Sequence, residues 1–140
     1  MCEQNWSRLG AMQQSVKKIT VSIDAASADT YEKIRRGGDW QSLLNAMKFL
    51  QHKKHTQGIA LHTRMIVQQQ NYPEMKLFYQ LCQQFDVDIV EYSRLQNWGT
   101  WRGLEFRSHD VVDPAHAEYQ LAQTEITKVK QLSHTWFAGL

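Results

Sequence analysis

The sequence predicts an α/β fold, a TIM-like partial (β/α) barrel fragment with about three parallel strands and covering helices, in a single domain over residues 1–140. Three observations carry this. Alternating apolar and polar stretches occur three times, and segments with apolar residues at helical spacing separate them. Strands separated by helices pair in parallel through right-handed crossovers. The second face of each strand is polar, whereas a parallel sheet covered on both sides is apolar on both.

The elements follow in order. Trp6, Leu9, Met12 and Val16 have helical spacing and predict an amphipathic helix over 4–17. Ile19-Thr20-Val21-Ser22-Ile23-Asp24 alternates as a strand with two different faces. Ser27 and Asp29 cap a short helix through Ile34, which Gly37-Gly38 ends. Asp39 is the N-cap of a longer helix with the stripe Trp40, Leu43, Leu44, Met47 and Leu50. Gly58 opens a second strand, Ile59 to Val67. Asn71 and Pro73 read as helix cap and first-turn proline of a helix burying Met75, Phe78, Leu81, Cys82 and Phe85. The third strand spans Val87 to Tyr92, and the stretch from Asn97 to Val112 reads as loop. Asp113-Pro114 starts a last helix to about Leu132, with Ala122, Ile126 and Val129 inward.

Composition narrows the function classes. Hydrophobic residues at 42% and charged residues at 21% are a globular balance that excludes a wholly disordered chain. No apolar stretch is long enough for a membrane span, and Met1-Cys2-Glu3-Gln4-Asn5 does not resemble a secretory leader, so a cytoplasmic protein is expected. The net charge of +2 is small and the basic residues are scattered, so nucleic acid is not an expected partner. The two cysteines, Cys2 and Cys82, give neither a disulfide framework nor zinc spacing, and Cys82 reads as a buried free thiol. His52 and His55 read as solvated, and His109, His116 and His134 form no metal triad.

Strand alternation places Ser22, Asp24, His62, Arg64, Glu91 and Ser93 on one surface if the three strands are neighbours. Two readings of this surface stand side by side. It is a polar ligand wall near the C-terminal ends of barrel strands, or a network of internal ion pairs such as Arg64 with Glu91. A slip of one residue in the face assignment would reverse it.

The segment from Val21 to Trp40 resembles a known family. A strand ends in Ser22-Ile23-Asp24, Thr30-Tyr31-Glu32-Lys33-Ile34-Arg35 follows, and Gly37-Gly38-Asp39 with Trp40 opens the next helix. Met65 through Asn71 and Val87 through Gly99 continue the likeness in order. The pattern is similar to the second half of the partial (β/α)6 barrel of radical S-adenosylmethionine (radical SAM) enzymes, over residues 15–120. It is closest to members with a C-terminal SPASM-type iron–sulfur domain, which act on peptides or proteins.

The resemblance implies a cofactor pair, S-adenosylmethionine and a 4Fe-4S cluster, that together generate a 5′-deoxyadenosyl radical in an oxidoreductase or maturase. It implies that Ser22 hydrogen-bonds the methionine carboxylate or ribose and that Arg35 pairs with the carboxylate. Leu95 would contact adenine, and Asp24 would support the ribose side or orient its neighbours. The plainer readings are backbone satisfaction for Ser22, a surface charge for Arg35 and packing for Leu95. Trp98 and Trp101 line a substrate mouth or anchor a loop. His62, Arg64, Glu91 and Ser93 are possible pocket lining with no role given by the resemblance.

The family's C-x3-C-x2-C triplet, which holds the cluster, does not occur in this sequence, nor does the glycine-rich turn after the family's second strand. No residue is therefore expected to be catalytic or to ligate metal here, and the cluster is not expected to be held by this chain. The strands bearing both motifs are expected before Met1, as a missing N-terminal half or a partner subunit. Three functions follow: a fragment carrying part of the S-adenosylmethionine pocket and inactive alone, a repurposed ligand- or protein-binding module, or one subunit of a split enzyme.

Overall fold

The structure is a computed structural model that describes residues 3–99 and 101–140; Cys2 lies outside them. In chain order the elements are α1 (Glu3–Ser7), β1 (Lys18–Ser22), α2 (Ala28–Ile34), α3 (Trp40–Gln57), β2 (Ala60–Val67), α4 (Met75–Gln84), β3 (Ile89–Arg94), α5 (Gly103–His109), α6 (Tyr119–Lys130) and β4 (Thr135–Ala138). Short 3-10 turns cover Gly10–Ser15 and Tyr72–Glu74.

The four strands form one parallel sheet in the order β1-β2-β3-β4, each beside its successor in the chain. Strands that always step the same way, joined by crossovers of one hand, put every connecting helix on the same face. The core shows this arrangement. Leu61, Met65 and Val67 of β2 and Val90 and Tyr92 of β3 pack with Leu43, Met47 and Leu50 of α3, Met75, Phe78 and Cys82 of α4, and Ala122, Ile126 and Val129 of α6. The opposite face is uncovered: Thr20 and Ser22 are exposed, Trp136 is 63% exposed, and His62, Arg64, Glu91 and Ser93 are only half-buried.

Local chemistry sets the element ends. Asp39 accepts a hydrogen bond from Ser42 N at 2.7 Å and caps α3. Gly58 ends that helix with a left-handed φ of 66°. Ser27 Oγ accepts from Thr30 N at the start of α2. Cys82 is buried with its Sγ 3.1 Å from Thr63 Oγ1, and burial pushes its thiol up to about 12. Among the described residues no helix is long and apolar enough to cross a membrane.

The structure corrects the sequence expectations in several places. The sheet has four strands, not three. The fourth is four residues long, and Phe137 stacks its ring on Tyr92 at 5.5 Å and 14°. The expected helix over 4–17 breaks after Ser7, because Gly10 adopts φ 52° and the chain continues as a 3-10 turn. Trp6 of that stripe is buried, but Met12 is 68% exposed. The expected loop contains α5, and the last helix begins at Tyr119 rather than at Asp113-Pro114. Asn71 makes no side-chain cap bond to the turn that follows it.

Candidate functional site

A parallel sheet gathers the C-terminal ends of its strands on one rim, where the connecting loops build sites. On the uncovered face near that rim, Ser22, Arg64, Glu91 and Trp136 lie side by side on four adjacent strands. His62 sits one row below, between Thr20 and Ile89, and Ser93 one row above, beside Ile66 and Ala138. The period-2 reading of β2 and β3 thus gives the observed faces.

Glu91 is the hub of this surface. Ser93 Oγ donates to Glu91 Oε1 at 2.7 Å, and Arg64 Nε lies 2.9 Å from the same oxygen as an ion pair. The Arg64 Nε–H has no well-aligned hydrogen-bond partner among the described residues. Burial works to raise the Glu91 carboxyl, but the Ser93 hydroxyl, the Arg64 guanidinium and His62 outweigh it and hold the group below the ordinary range. His62 itself is lowered, by burial first and then by Lys18, against the pull of Asp88 and Glu91. The face therefore presents a fixed carboxylate and a neutral imidazole at neutral pH, with the Arg64 side chain still 43% exposed.

Asp24 lies beyond the strand and is buried rather than exposed beside Ser22. β1 ends at Ser22, and Asp24 takes a left-handed φ of 66° that turns its carboxylate inward, leaving it 4% exposed. There it accepts from Ile66 N at 2.7 Å and pairs with the Arg35 guanidinium, while Ser22 Oγ approaches at 3.5 Å. Burial raises its pKa, and the Ile66 N–H, Arg35 and Ser22 all oppose that rise. Arg35 Nε is buried without a hydrogen-bond partner among the described residues.

Two residues the sequence reading left out of the site fix this corner. Asn71, fully buried, donates through Nδ2 to Asp24 O at 2.8 Å and Ile66 O at 2.9 Å, and accepts from Gln68 N at 2.8 Å. Glu74 accepts from Ala26 N, Ser27 Oγ and Thr30 Oγ1, each at 2.6 Å. The start of α4 is thereby bound to the turn between β1 and α2.

A cleft of about 500 Å³ opens beside the Glu91 hub. It brings together Arg64, Glu91, Ser93, Leu95 and Trp98 of the expected site residues, whereas Ser22, Asp24, Arg35 and His62 do not line it. Leu95 is buried in its wall and Trp98 is 85% exposed at its mouth. Arg94, also in the wall, is held by the buried carboxylate of Asp110, with Nη2 to Oδ2 at 2.7 Å and Nε to both oxygens at 3.2 and 3.3 Å. Neither Arg94 nor Asp110 stands out in the sequence, because the pair joins a strand end to the segment after α5. Among the described residues no group of three or more His, Cys, Asp or Glu is placed to hold a metal ion. No protein-family model matches the chain, and a search of curated proteins finds no significant match.

Proposed function

We propose that the chain is a section of a (β/α) barrel of the radical S-adenosylmethionine class and supplies one wall of its S-adenosylmethionine pocket. The observation that carries the reading is the strand order. A parallel sheet wound in one direction, with helices on one face and charged side chains on the other, is what an arc of a barrel with a polar inner face would present, and it supports this reading. Both edge strands, β1 and β4, have one side without a neighbour in this sheet, which is where an arc would be extended.

The residues present fit S-adenosylmethionine in part. Ser22 offers an exposed hydroxyl at the rim, Leu95 an apolar contact for a base, and Arg35 a buried Nε that lacks an acceptor. In this reading Ser22 and Arg35 hold the carboxylate end, Leu95 meets the adenine, and Asp24 orients Arg35 through their ion pair. The residues do not fit a 4Fe-4S cluster. The sequence has two cysteines, and the Cys82 thiol is buried against Thr63 and protonated at neutral pH. The cluster would need ligands from another segment or from a partner subunit, and the radical chemistry and its peptide or protein substrate would belong to that assembly.

Equilibrium dialysis of the purified chain against labelled S-adenosylmethionine tests this. Saturable binding that weakens in Arg35→Gln and in Ser22→Ala supports the reading. Binding indifferent to both variants, or no saturable binding, counts against it. A second reading, a non-catalytic binding module, is favoured by the internal pairing of Arg64, Glu91 and Ser93, which ties the Glu91 carboxylate into an ion pair and a hydrogen bond.

A further inference from the structure

A second cleft, about 510 Å³, lies between the end of α2, the loop after β2, and α5. It shares Trp101 with the first cleft but otherwise has separate walls. Lys33 and Arg36 stand three residues apart on one side, and Gln68 and Gln70 line another. Glu105 and His109, one turn apart on α5, close it. The walls are tied together by Gln69 N donating to His109 O at 3.0 Å.

The donors of this cleft are in excess. Neither Lys33 nor Arg36 has an ion-pair partner among the described residues, and Glu105 is the one carboxylate in the lining. Gln68 is 7% exposed, and its side-chain amide, which has no protein partner among the described residues, still reaches solvent. His109 Nδ1 is buried without a hydrogen-bond partner among the described residues. Lys33 and Arg36 are exposed and free to meet a ligand from solvent, whereas His109 Nδ1 is a buried group, and buried polar groups in proteins are nearly always satisfied. Two guanidinium- or ammonium-bearing side chains beside two amides suit an oxyanion, with Arg36 able to bind two of its oxygens. The cavity is far larger than one such group, and Trp101 and Ile34 add apolar wall. Trp101 is itself braced against His109 and Phe106, with ring centroids 5.5 and 6.2 Å away.

We infer that this cleft binds a small organic oxyanion, its phosphate or carboxylate on Lys33 and Arg36 and its unsaturated body against Trp101. The clefts have different linings on either side of Trp101, so neither ligand requires the other.

Titration calorimetry of the full chain with inorganic phosphate, phenyl phosphate and benzoate tests the inference. Phenyl phosphate tighter than both inorganic phosphate and benzoate identifies a phosphate ester; benzoate tighter than phenyl phosphate identifies a carboxylate. Lys33→Gln and Arg36→Gln, both at exposed positions, each weaken the preferred probe roughly ten- to a hundredfold, the usual worth of a hydrogen bond to a charged group. Lys48→Gln, on the exposed side of α3, leaves it unchanged. Trp101→Leu weakens the aromatic probes but not inorganic phosphate. No saturable binding of any probe, or binding that neither Lys33→Gln nor Arg36→Gln alters, overturns the inference.

Discussion

Replacing Glu74 should unfasten the corner that carries Ser22, Asp24 and Arg35. Its carboxylate receives three donors, Ala26 N, Ser27 Oγ and Thr30 Oγ1, all at 2.6 Å. A hydrogen bond to a charged group contributes about 1.5–3 kcal/mol net. The three do not add, because they share one carboxylate and the two hydroxyls can turn to other acceptors or water once it is gone. Ala26 N–H has no such freedom, so Glu74→Ala should cost about 3 kcal/mol and Glu74→Gln, which keeps one oxygen acceptor, about 1–2 kcal/mol. Against a total stability of about 5–15 kcal/mol, either is large. Burial works to raise the Glu74 carboxyl, but its hydrogen bonds to Ser27, Thr30 and Ala26 outweigh this and hold it below its ordinary 4.5. A depressed carboxyl stabilises the fold above its unfolded pKa, and the contribution is lost as pH falls through the folded value. Urea unfolding followed by circular dichroism should therefore show the full gap between wild type and Glu74→Gln at neutral pH, closing progressively below pH 4.5. A variant as stable as wild type at neutral pH, or a gap that does not change with acid, refutes the reasoning.

Two further outcomes are expected. Asn71→Ala should cost about 2–4 kcal/mol in the same assay, because it strips the amide from two carbonyls and the acceptor from Gln68 N. Asn71→Asp should be no more stable at neutral pH, since it restores the acceptor but sets an oxygen against the carbonyls of Asp24 and Ile66. In a Cys2→Ser background, Cys82 should react with a thiol reagent at mildly alkaline pH only as fast as the chain unfolds, because its thiol is buried and pushed up to about 12; rapid reaction of the native chain would disprove this.

What was legible in the sequence followed from short periods. The alternation in β2 puts Leu61, Thr63, Met65 and Val67 in the core and His62 and Arg64 outside, because successive side chains of a strand point to opposite faces. The same rule failed at Asp24. It extended the first strand two residues past Ser22, where the backbone turns left-handed and the carboxylate is buried against Ile66 N, Arg35 and Ser22. Glu74 and Asn71 were illegible as site residues because their partners lie far off in sequence, 44 to 48 residues for Glu74 and 47 for the contact of Asn71 with Asp24. Asn71 ahead of Pro73 had a local explanation as a cap, and a local explanation is what a single sequence supports. β4 was hidden by its length and by His134, whose φ of 58° turns the chain into the sheet just after α6. Trp136-Phe137 carries the alternation, but four residues are too few for a period to be read.

The same long-range bonds decide how the rim behaves as a unit. Asp24 joins the end of β1 to β2 through Ile66 N, Asn71 clasps both strand ends by their carbonyls, and Glu74 carries the connection to α2 and α4. Arg35 is fastened to Asp24, so its guanidinium is positioned from β2 and α4 as much as from its own helix. A ligand meeting Ser22 and Arg35 would find them placed in advance, with little ordering left to do on binding. Arg94 is fixed on the other side of the rim by Asp110 in the same way. Between these two anchored corners Trp98 is exposed, so adjustment to the shape of a ligand bound here would fall to the loop after β3 while Arg35 and Arg94 stayed in place.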